Sequence, residues 1–466
     1  MPLVVGVDSS TSACKVEVRD LGTGRLVSSG RAAHPPTTPP CSEQDPDAWW
    51  TAFEAAAAQA ELNRHRPASI AVAAQQHGLV TLDAVGKVIR PAKLWNDTES
   101  ADDARALVAE LGPTGWADAC GSVPVASFTI TKLRWLHRCE PTSFARIARI
   151  GLPHDWLTLR LSGRWSTDRG DASGTGWWSP AQGTYRTDLL DLVDADTDWS
   201  SALPDVLGPS DVAGEWTAAG GALVAAGTGD NMAASVGLGL REGELALSLG
   251  TSGTAWTVAD APTADPTGSV AGFADATGRF LPLVCTLNAT KVTDAVARLL
   301  GTTAVELDQL ALAAPPGSGG LTLVPHLDGE RTPNRPHATG LLAGLRSDVG
   351  RDQLARAAIE GVVCNLLAGA DRLPVDDGPV VLVGGGARSG AYRRIVADLV
   401  GRPVRVPEAE ESVALGAAVQ AAVALTGSSF DDVATAWDLR AGRTIDPDPA
   451  VDAAAIRARY AEAAGA

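Results

Sequence analysis

With 466 residues the chain is longer than one ordinary hydrophobic core accommodates, so two or three domains are expected. A hydrophobic fraction of 45% and a charged fraction of 20% describe a soluble globular protein, and a net charge of −17 with no basic run excludes nucleic acid or an anionic membrane as the main partner. The six cysteines (Cys14, Cys41, Cys120, Cys139, Cys285 and Cys364) form no CxxC pair or zinc spacing and read as reduced thiols. No leader precedes Asp8 and no apolar run approaches the ~18 residues of a membrane span, so the expected location is cytoplasmic.

Residues 3–7, Leu-Val-Val-Gly-Val, are a continuous apolar run suited to a central buried strand. They end in Asp8-Ser9-Ser10-Thr11-Ser12. The segment from Lys15 to Arg19 alternates as a half-exposed strand should, and Arg25-Leu26-Val27 opens a third strand after a Gly-containing turn. A turn with one acid and several hydroxyls can cradle phosphate and hold a metal ion, or it can be a plain polar hairpin. Asp45-Pro46 opens a helix whose aromatic face, Trp49, Trp50 and Phe53, reads as core.

The apolar strand 69–74 runs into Gln75-Gln76-His77-Gly78, and Leu94-Trp95-Asn96-Asp97 follows. A His beside amides at a strand end is a structural hydrogen-bonder or a polyol ligand; Trp95 offers a stacking face. A helix over 100–111 is closed by Gly112-Pro113, and another is expected over 126–139. Pro153-His154-Asp155 starts a further short helix. The polar stretch 166–176 has no helical period and is expected to be a loop over a site.

Near the middle, the apolar run 222–226 enters Gly227-Thr228-Gly229-Asp230-Asn231-Met232. An acid on a Gly-rich turn between strand and helix stands where parallel α/β sheets place reactive groups, although Asp is also a favoured helix cap. The opening pattern then repeats: strand 244–249, turn Gly250-Thr251-Ser252-Gly253-Thr254, strand 255–258. A duplicated domain explains this, with a boundary near 238–244. Later come a strand at 282–286, a helix at 288–300, a polar loop at 326–336 and a long helix over 350–371. The strand 380–383 feeds Gly384-Gly385-Gly386-Ala387-Arg388-Ser389, whose glycines let a ligand approach the backbone. Neither GxGxxG nor GxxxxGK[ST] is present, which excludes a dinucleotide fingerprint and a P-loop. A small-residue helix covers 411–424.

In this order the pieces resemble the FGGY carbohydrate kinases. Gly6-Val7-Asp8-Ser9-Ser10-Thr11 looks like the family's first phosphate motif and Leu249-Gly250-Thr251-Ser252-Gly253 like its second. Val383 to Ser389 is similar to its adenosine motif, and Glu411 to Ala418 to its late hinge helix. The likeness runs from residue 3 to about 425. It implies an α/β fold with two RNase H-like domains, of the actin/hexokinase/Hsp70 superfamily, around a deep catalytic cleft. Residues 1–240 would form the sugar domain, 241–426 the ATP domain and 427–466 a helical tail.

By the same resemblance, Asp230 would be the general base and Asp8 the Mg²⁺ ligand. Gln76, His77, Gly78, Trp95, Asp97 and Asn231 would contact sugar. Ser10, Thr11, Lys15, Gly250, Thr251, Ser252 and Asn288 would lie on the cofactor side, with Thr11, Thr251 and Ser252 at the phosphates. Gly385, Gly386, Ala387 and Ser389 would take the adenosine of ATP. The residues at 76–78, 95–97, 167–176 and 229–231 are most similar to members that phosphorylate xylulose; ribulose, a pentitol or glycerol are the alternatives. Many members have Arg two positions after the acid of the Trp-x-Asp segment, where this chain has Glu99. A non-catalytic nucleotide switch would need no His77, Trp95, Asp97 or Asp230. The implied partners are a small sugar and ATP, with a homodimer as one option for assembly.

Overall fold

The structure is a computed structural model that describes residues 2–465. It divides into two compact units. The first holds residues 1–240, 260–281 and 409–440; the second holds 241–259, 282–408 and 441–466.

Unit 1 is built on β1 (Leu3–Ser9), β2 (Ala13–Asp20), β3 (Leu26–Ala33), β4 (Ser69–Ala74), β5 (Val212–Trp216) and β6 (Ala222–Ala225). Their spatial order is β5-β6-β4-β1-β2-β3. The first three strands form the antiparallel meander, β4 and β6 join parallel to β1, and β5 closes the edge antiparallel. As expected of strands covered on both faces, β4 has no exposed residue and β1 almost none. The helix Pro46–Gln59 buries Trp49 and Phe53 against this sheet, capped by the Asp45 side chain. The helix Ser412–Thr426 packs Ala417, Ala418 and Ala421 with Val4, Ala71 and Ala225.

Unit 2 repeats the arrangement. Its strands are β7 (Ala246–Leu249), β8 (Gly253–Trp256), β9 (Phe280–Thr286), β10 (Val380–Val383), β11 (Val404–Pro407) and β12 (Gly442–Ile445), in the order β9-β8-β7-β10-β11-β12. Again a meander leads to two parallel strands and an antiparallel edge.

Several expectations change. Residues 427–466 are not a separate helical tail: 409–440 pack in unit 1, while 441–466 belong to unit 2 and supply β12. Contacts across the chain decide this, and composition does not carry them. The segment 260–281 returns to unit 1, where the Ala274 N–H donates to Ser173 Oγ and Arg169 lies 3.5 Å from Asp275. Gly112, with φ 77°, does break the first helix, but Pro113 starts another that runs to Cys120. The stretch 166–176 is not all loop; it opens with a short strand, Ser166–Asp168, and a helical turn, Arg169–Ala172, and is almost wholly buried. Among the described residues no single helix is long and apolar enough to cross a membrane.

Candidate active site

Parallel pairing brings the acids of unit 1 together. Asp8 is opposite Ala73 in the β1–β4 register, and Thr228 is opposite Ala73 from the other side. Asp8 and Asp230 therefore stand at the carboxyl ends of strands that flank β4, where open α/β sheets expose reactive groups. Asp230 is the first residue of the helix Asp230–Gly237 rather than its cap, a position that Gly229 takes. Its Oδ1 accepts the Asn231 N–H at 2.8 Å and Asn231 Nδ2 at 3.1 Å.

The electrostatics of the two acids are linked. Burial and then the charge of Asp8 push Asp230 up to about 7, against the pull of the Asn231 N–H. Burial raises Asp8 to about 6 although Lys15, 3.2 Å away, works against it. Lys15 also pairs with Glu411 at 2.5 Å. Asp8 Oδ1 is buried and has no hydrogen-bond partner. An orphaned carboxylate oxygen beside a second acid suits a hydrated divalent cation, so the residues present fit Mg²⁺.

Of the sugar-side candidates, Gln76 and Asn231 meet beside Asp230. Gln76 is buried, and its Oε1 accepts Asn231 Nδ2 at 2.7 Å. His77 has a left-handed backbone, φ 66°, uncommon for a residue with a Cβ. Its Nδ1 is 2.6 Å from the Gly174 carbonyl, and its ring packs at a tilt against Phe128 and Phe273 with centroids at 4.9 and 5.6 Å. A Cβ on Gly78 would press on Pro153. Trp95 is 42% exposed, and its indole N–H donates to Thr11 Oγ1. Thr11 in turn donates to Gln75, and Ser10 to the Ala13 carbonyl.

Asp97 is a different case, because it offers no free oxygen to a sugar. Fully buried, its Oδ2 accepts the Ser42 N–H and Lys93 Nζ, and its Oδ1 accepts the Glu99 N–H. Lys93 also pairs with Glu43 and Glu99. The acid at 99 thus answers a buried cation, against which an Arg would place a second positive charge.

In unit 2 the turn Gly250–Ser252 is held by the start of the next helix: the Thr290 N–H donates to the Gly250 carbonyl and the Ala289 N–H to that of Thr251. The Thr251 and Ser252 side chains are exposed. Gly384 has φ 85°; Gly385 has open space where a Cβ would sit; Gly386 and Ala387 are buried. Ser389 caps the helix Gly390–Val400 and donates to Asp308 at 2.6 Å. Asn288 turns inward, fully buried, with Nδ2 on the Gly329 carbonyl and on Glu330. It anchors the 326–336 loop through Nδ2, while its Oδ1 has no hydrogen-bond partner.

Sequence reasoning missed Phe273, which lies in a segment assigned to the other half of the chain. It also missed Lys93 and Gln420. His154, Asp168 and Asp171 were visible only as a helix start and polar loop residues.

The N-terminal domain model of the FGGY family of carbohydrate kinases matches residues 3–237, and the C-terminal domain model of that family matches residues 245–425. The chain belongs to the FGGY family of carbohydrate kinases. Its two sheets are the RNase H-like pair of the actin/hexokinase/Hsp70 superfamily, and the chain is an ATP-dependent sugar kinase. A xylulose kinase of Streptomyces coelicolor is 50% identical over 456 residues, 96% of this chain and 92% of the relative. One from Escherichia coli is 34% identical over 415 residues, 86% and 85% of the two chains. The crystal structure of xylulose kinase from Bifidobacterium adolescentis superposes with a TM-score of 0.90 at 42% identity, covering 100% of this FGGY kinase and 99% of that chain.

Proposed function

We propose that this FGGY kinase transfers the γ-phosphoryl group of Mg·ATP to D-xylulose, giving D-xylulose 5-phosphate and ADP in the cytoplasm. The observation that carries the mechanism is Asp230, a carboxylate of raised basicity at a strand end, with Asn231 and, through it, Gln76 beside it. The choice of sugar is supported by xylulose kinases that match nearly the whole chain at up to 50% identity.

In this reading Asp230 accepts the proton of the acceptor hydroxyl as its oxygen bonds to phosphorus and the bond to the ADP oxygen breaks. Base catalysis of this kind contributes about 10²–10⁴-fold. A divalent cation held by Asp8 through water would offset the phosphate charge. Lys15, on the next strand, adds a cation beside Asp8, and Ser10 and Thr11 form the turn between the two strands. Trp95 and His77 supply flat faces against the carbon chain of the sugar. On unit 2 the turn Gly250–Ser252 would take phosphate, and Gly385, Gly386, Ala387 and Ser389 the adenosine. Positioning and charge neutralisation do most of the work in such transfers.

The test is ADP release from Mg·ATP across D-xylulose, L- and D-ribulose, xylitol, D-arabitol, glycerol and no sugar. D-Xylulose should give by far the highest rate, and Asp230→Asn should lower it by about 10²–10⁴-fold while ADP affinity stays unchanged. Another best substrate would keep the mechanism and reject the sugar. Normal turnover in Asp230→Asn would reject the base.

A further inference from the structure

Behind the Asp230 loop lies a group of titratable side chains that the chemistry above does not use. His154, Asp155 and Asp171 are all buried, the first two in the opening turn of the helix Pro153–Ser162. His154 Nδ1 is 3.2 Å from Asp155 Oδ1 and 3.5 Å from Asp171 Oδ2. On its other side, Nε2 is 2.7 Å from the Ala226 carbonyl oxygen. A carbonyl can only accept, so Nε2 carries a hydrogen. Two carboxylates facing Nδ1 call for a hydrogen there as well.

The acids need that charge. Asp155 Oδ2 takes the Leu152 N–H, but neither oxygen of Asp171 accepts a hydrogen bond, and His154 Nδ1 meets the two acids as ion-pair contacts at 3.2 and 3.5 Å. A buried carboxylate with no partner is costly. Burial works against a charge on His154, yet its contacts with Asp155 and Asp171 outweigh it and lift the imidazole well above its usual value. Burial likewise pushes Asp171 upward, against the pull of His154. The other titratable groups here are Asp168, on the segment packed against the helix, and Tyr185, which senses Asp155.

Ala226 begins the loop that ends in Asp230, and each step of that loop is held by a side chain. His154 takes the Ala226 carbonyl. Gln420 Nε2 donates to the Gly227 carbonyl at 3.1 Å, and Thr228 Oγ1 donates to Asp168 at 2.8 Å. Gly229 lies so close to Gln76 and Asp171 that a Cβ there would touch both.

We propose that His154, an imidazolium pinned between Asp155 and Asp171, is a positioning residue that fixes the Ala226–Asp230 loop and so the direction of the Asp230 carboxylate. The proposal rests on Asp230 being the base. A divalent cation would use the same three ligand atoms and need at least one more, which no His, Cys, Asp or Glu among the described residues adds to the set.

The experiment compares His154→Gln, His154→Lys and Asp230→Asn with the wild type for kcat, both KM values and thermal stability. Nitrogen-15 histidine spectra of the wild type are recorded alongside. His154→Gln should lose about 10–10²-fold in kcat with KM for ATP unchanged, since a displacement of about 1 Å costs that much. His154→Lys, which keeps the charge, should recover most of it; a loss of packing alone would not be rescued this way. In the wild type both ring nitrogens of His154 should stay protonated from about pH 6 to 8. Normal kcat in His154→Gln together with an inactive Asp230→Asn overturns the role of His154 alone. An active Asp230→Asn overturns the base assignment and this inference with it. A bare Nδ1 in the wild type overturns the imidazolium, and this measurement holds even if His154→Gln does not fold; a stoichiometric divalent metal lost in a folded His154→Gln overturns it as well.

Discussion

Lys93 has no exposed surface, yet it lies within 2.9 Å of Glu43, 3.1 Å of Asp97 and 2.5 Å of Glu99. The face of Trp135 covers it, with the ammonium 3.8 Å from the ring centroid. Removing one partner of a buried ion cluster strands the others, so Lys93→Met should cost about 3–5 kcal/mol at neutral pH. The sign of its pH dependence follows from the acids. Burial pushes Glu43 up, but Arg90 and Lys93 outweigh it and hold it below its usual value. A carboxylate lowered in the folded state adds stability above its unfolded pKa and loses it as the pH falls through the folded value. Lys93→Met removes part of that gain and leaves the Asp97 carboxylate without its cation. What remains of that gain is lost in the wild type as the pH falls below Glu43's ordinary value of 4.5, so the variant's deficit should be smaller at about pH 3.5 than at about pH 7 in urea melts. A deficit equal at both values would refute the account. Residues of this kind are hard to read from sequence. Asp8, His77 and Asp230 stand out because they end apolar strands in Gly- or Ser-rich turns. Lys93 and His154 have no such local mark, and only tertiary burial gives them their roles.

Among the elements, the crossing of the helices Asp230–Gly237 and Ser412–Thr426 is the tightest constraint on Asp230. A Cβ on Gly416 would collide with the Ala233 carbonyl, one on Gly237 with the Ser412 carbonyl, and one on Gly6 with the Ala414 carbonyl. The sequence shows this helix as small and apolar, but not what lies against each glycine. Gly416→Val should therefore push the Asp230 helix aside, lowering kcat at least ~10-fold and stability by about 1–3 kcal/mol, with KM for ATP little changed. Gly385 is the opposite case, since a Cβ there meets no protein atom. Gly385→Ala should leave the melting temperature unaltered and, if adenosine lies against that backbone, raise KM for ATP several-fold. An unchanged KM would move the nucleotide elsewhere. Strands and helices at 3–9, 69–74, 380–383 and 412–426 were legible because their patterns are long and unmixed. The buried strand and turn at 166–172 were not, because their polar residues satisfy one another inside the protein, which a reading by polarity assigns to a surface loop.

At the scale of the whole molecule, the repeated strand-turn-strand of the sequence has a counterpart in the structure, for each unit carries a meander, two parallel strands and an antiparallel edge. The edge strands differ in origin: β5 precedes its neighbour β6 in the chain, whereas β12 follows β11 by way of residues 409–440, which belong to the other unit. The last 26 residues are thus part of unit 2. β12 covers the side of β11 that would otherwise expose unpaired backbone, a hazard for aggregation. In the helix Ala453–Ala464, the Tyr460 hydroxyl donates to Asn365 Oδ1 at 3.0 Å; Asn365 and Asn288 both donate to Glu330, whose other oxygen takes the Leu287 N–H. This chain of bonds ties the C-terminus to the loop that follows β9. Tyr460→Phe deletes one member while Asn365 Oδ1 keeps its contact with His326 at 3.2 Å, so a loss of only about 1 kcal/mol is expected. Truncation after Arg440 removes the edge strand and the helix together. It should leave unit 2 sensitive to proteolysis and abolish ADP binding measured by calorimetry, with cleavage sites clustering in 282–408. A truncated chain that kept native ADP affinity would show residues 441–466 to be the dispensable tail that their Ala- and Asp-rich composition suggests.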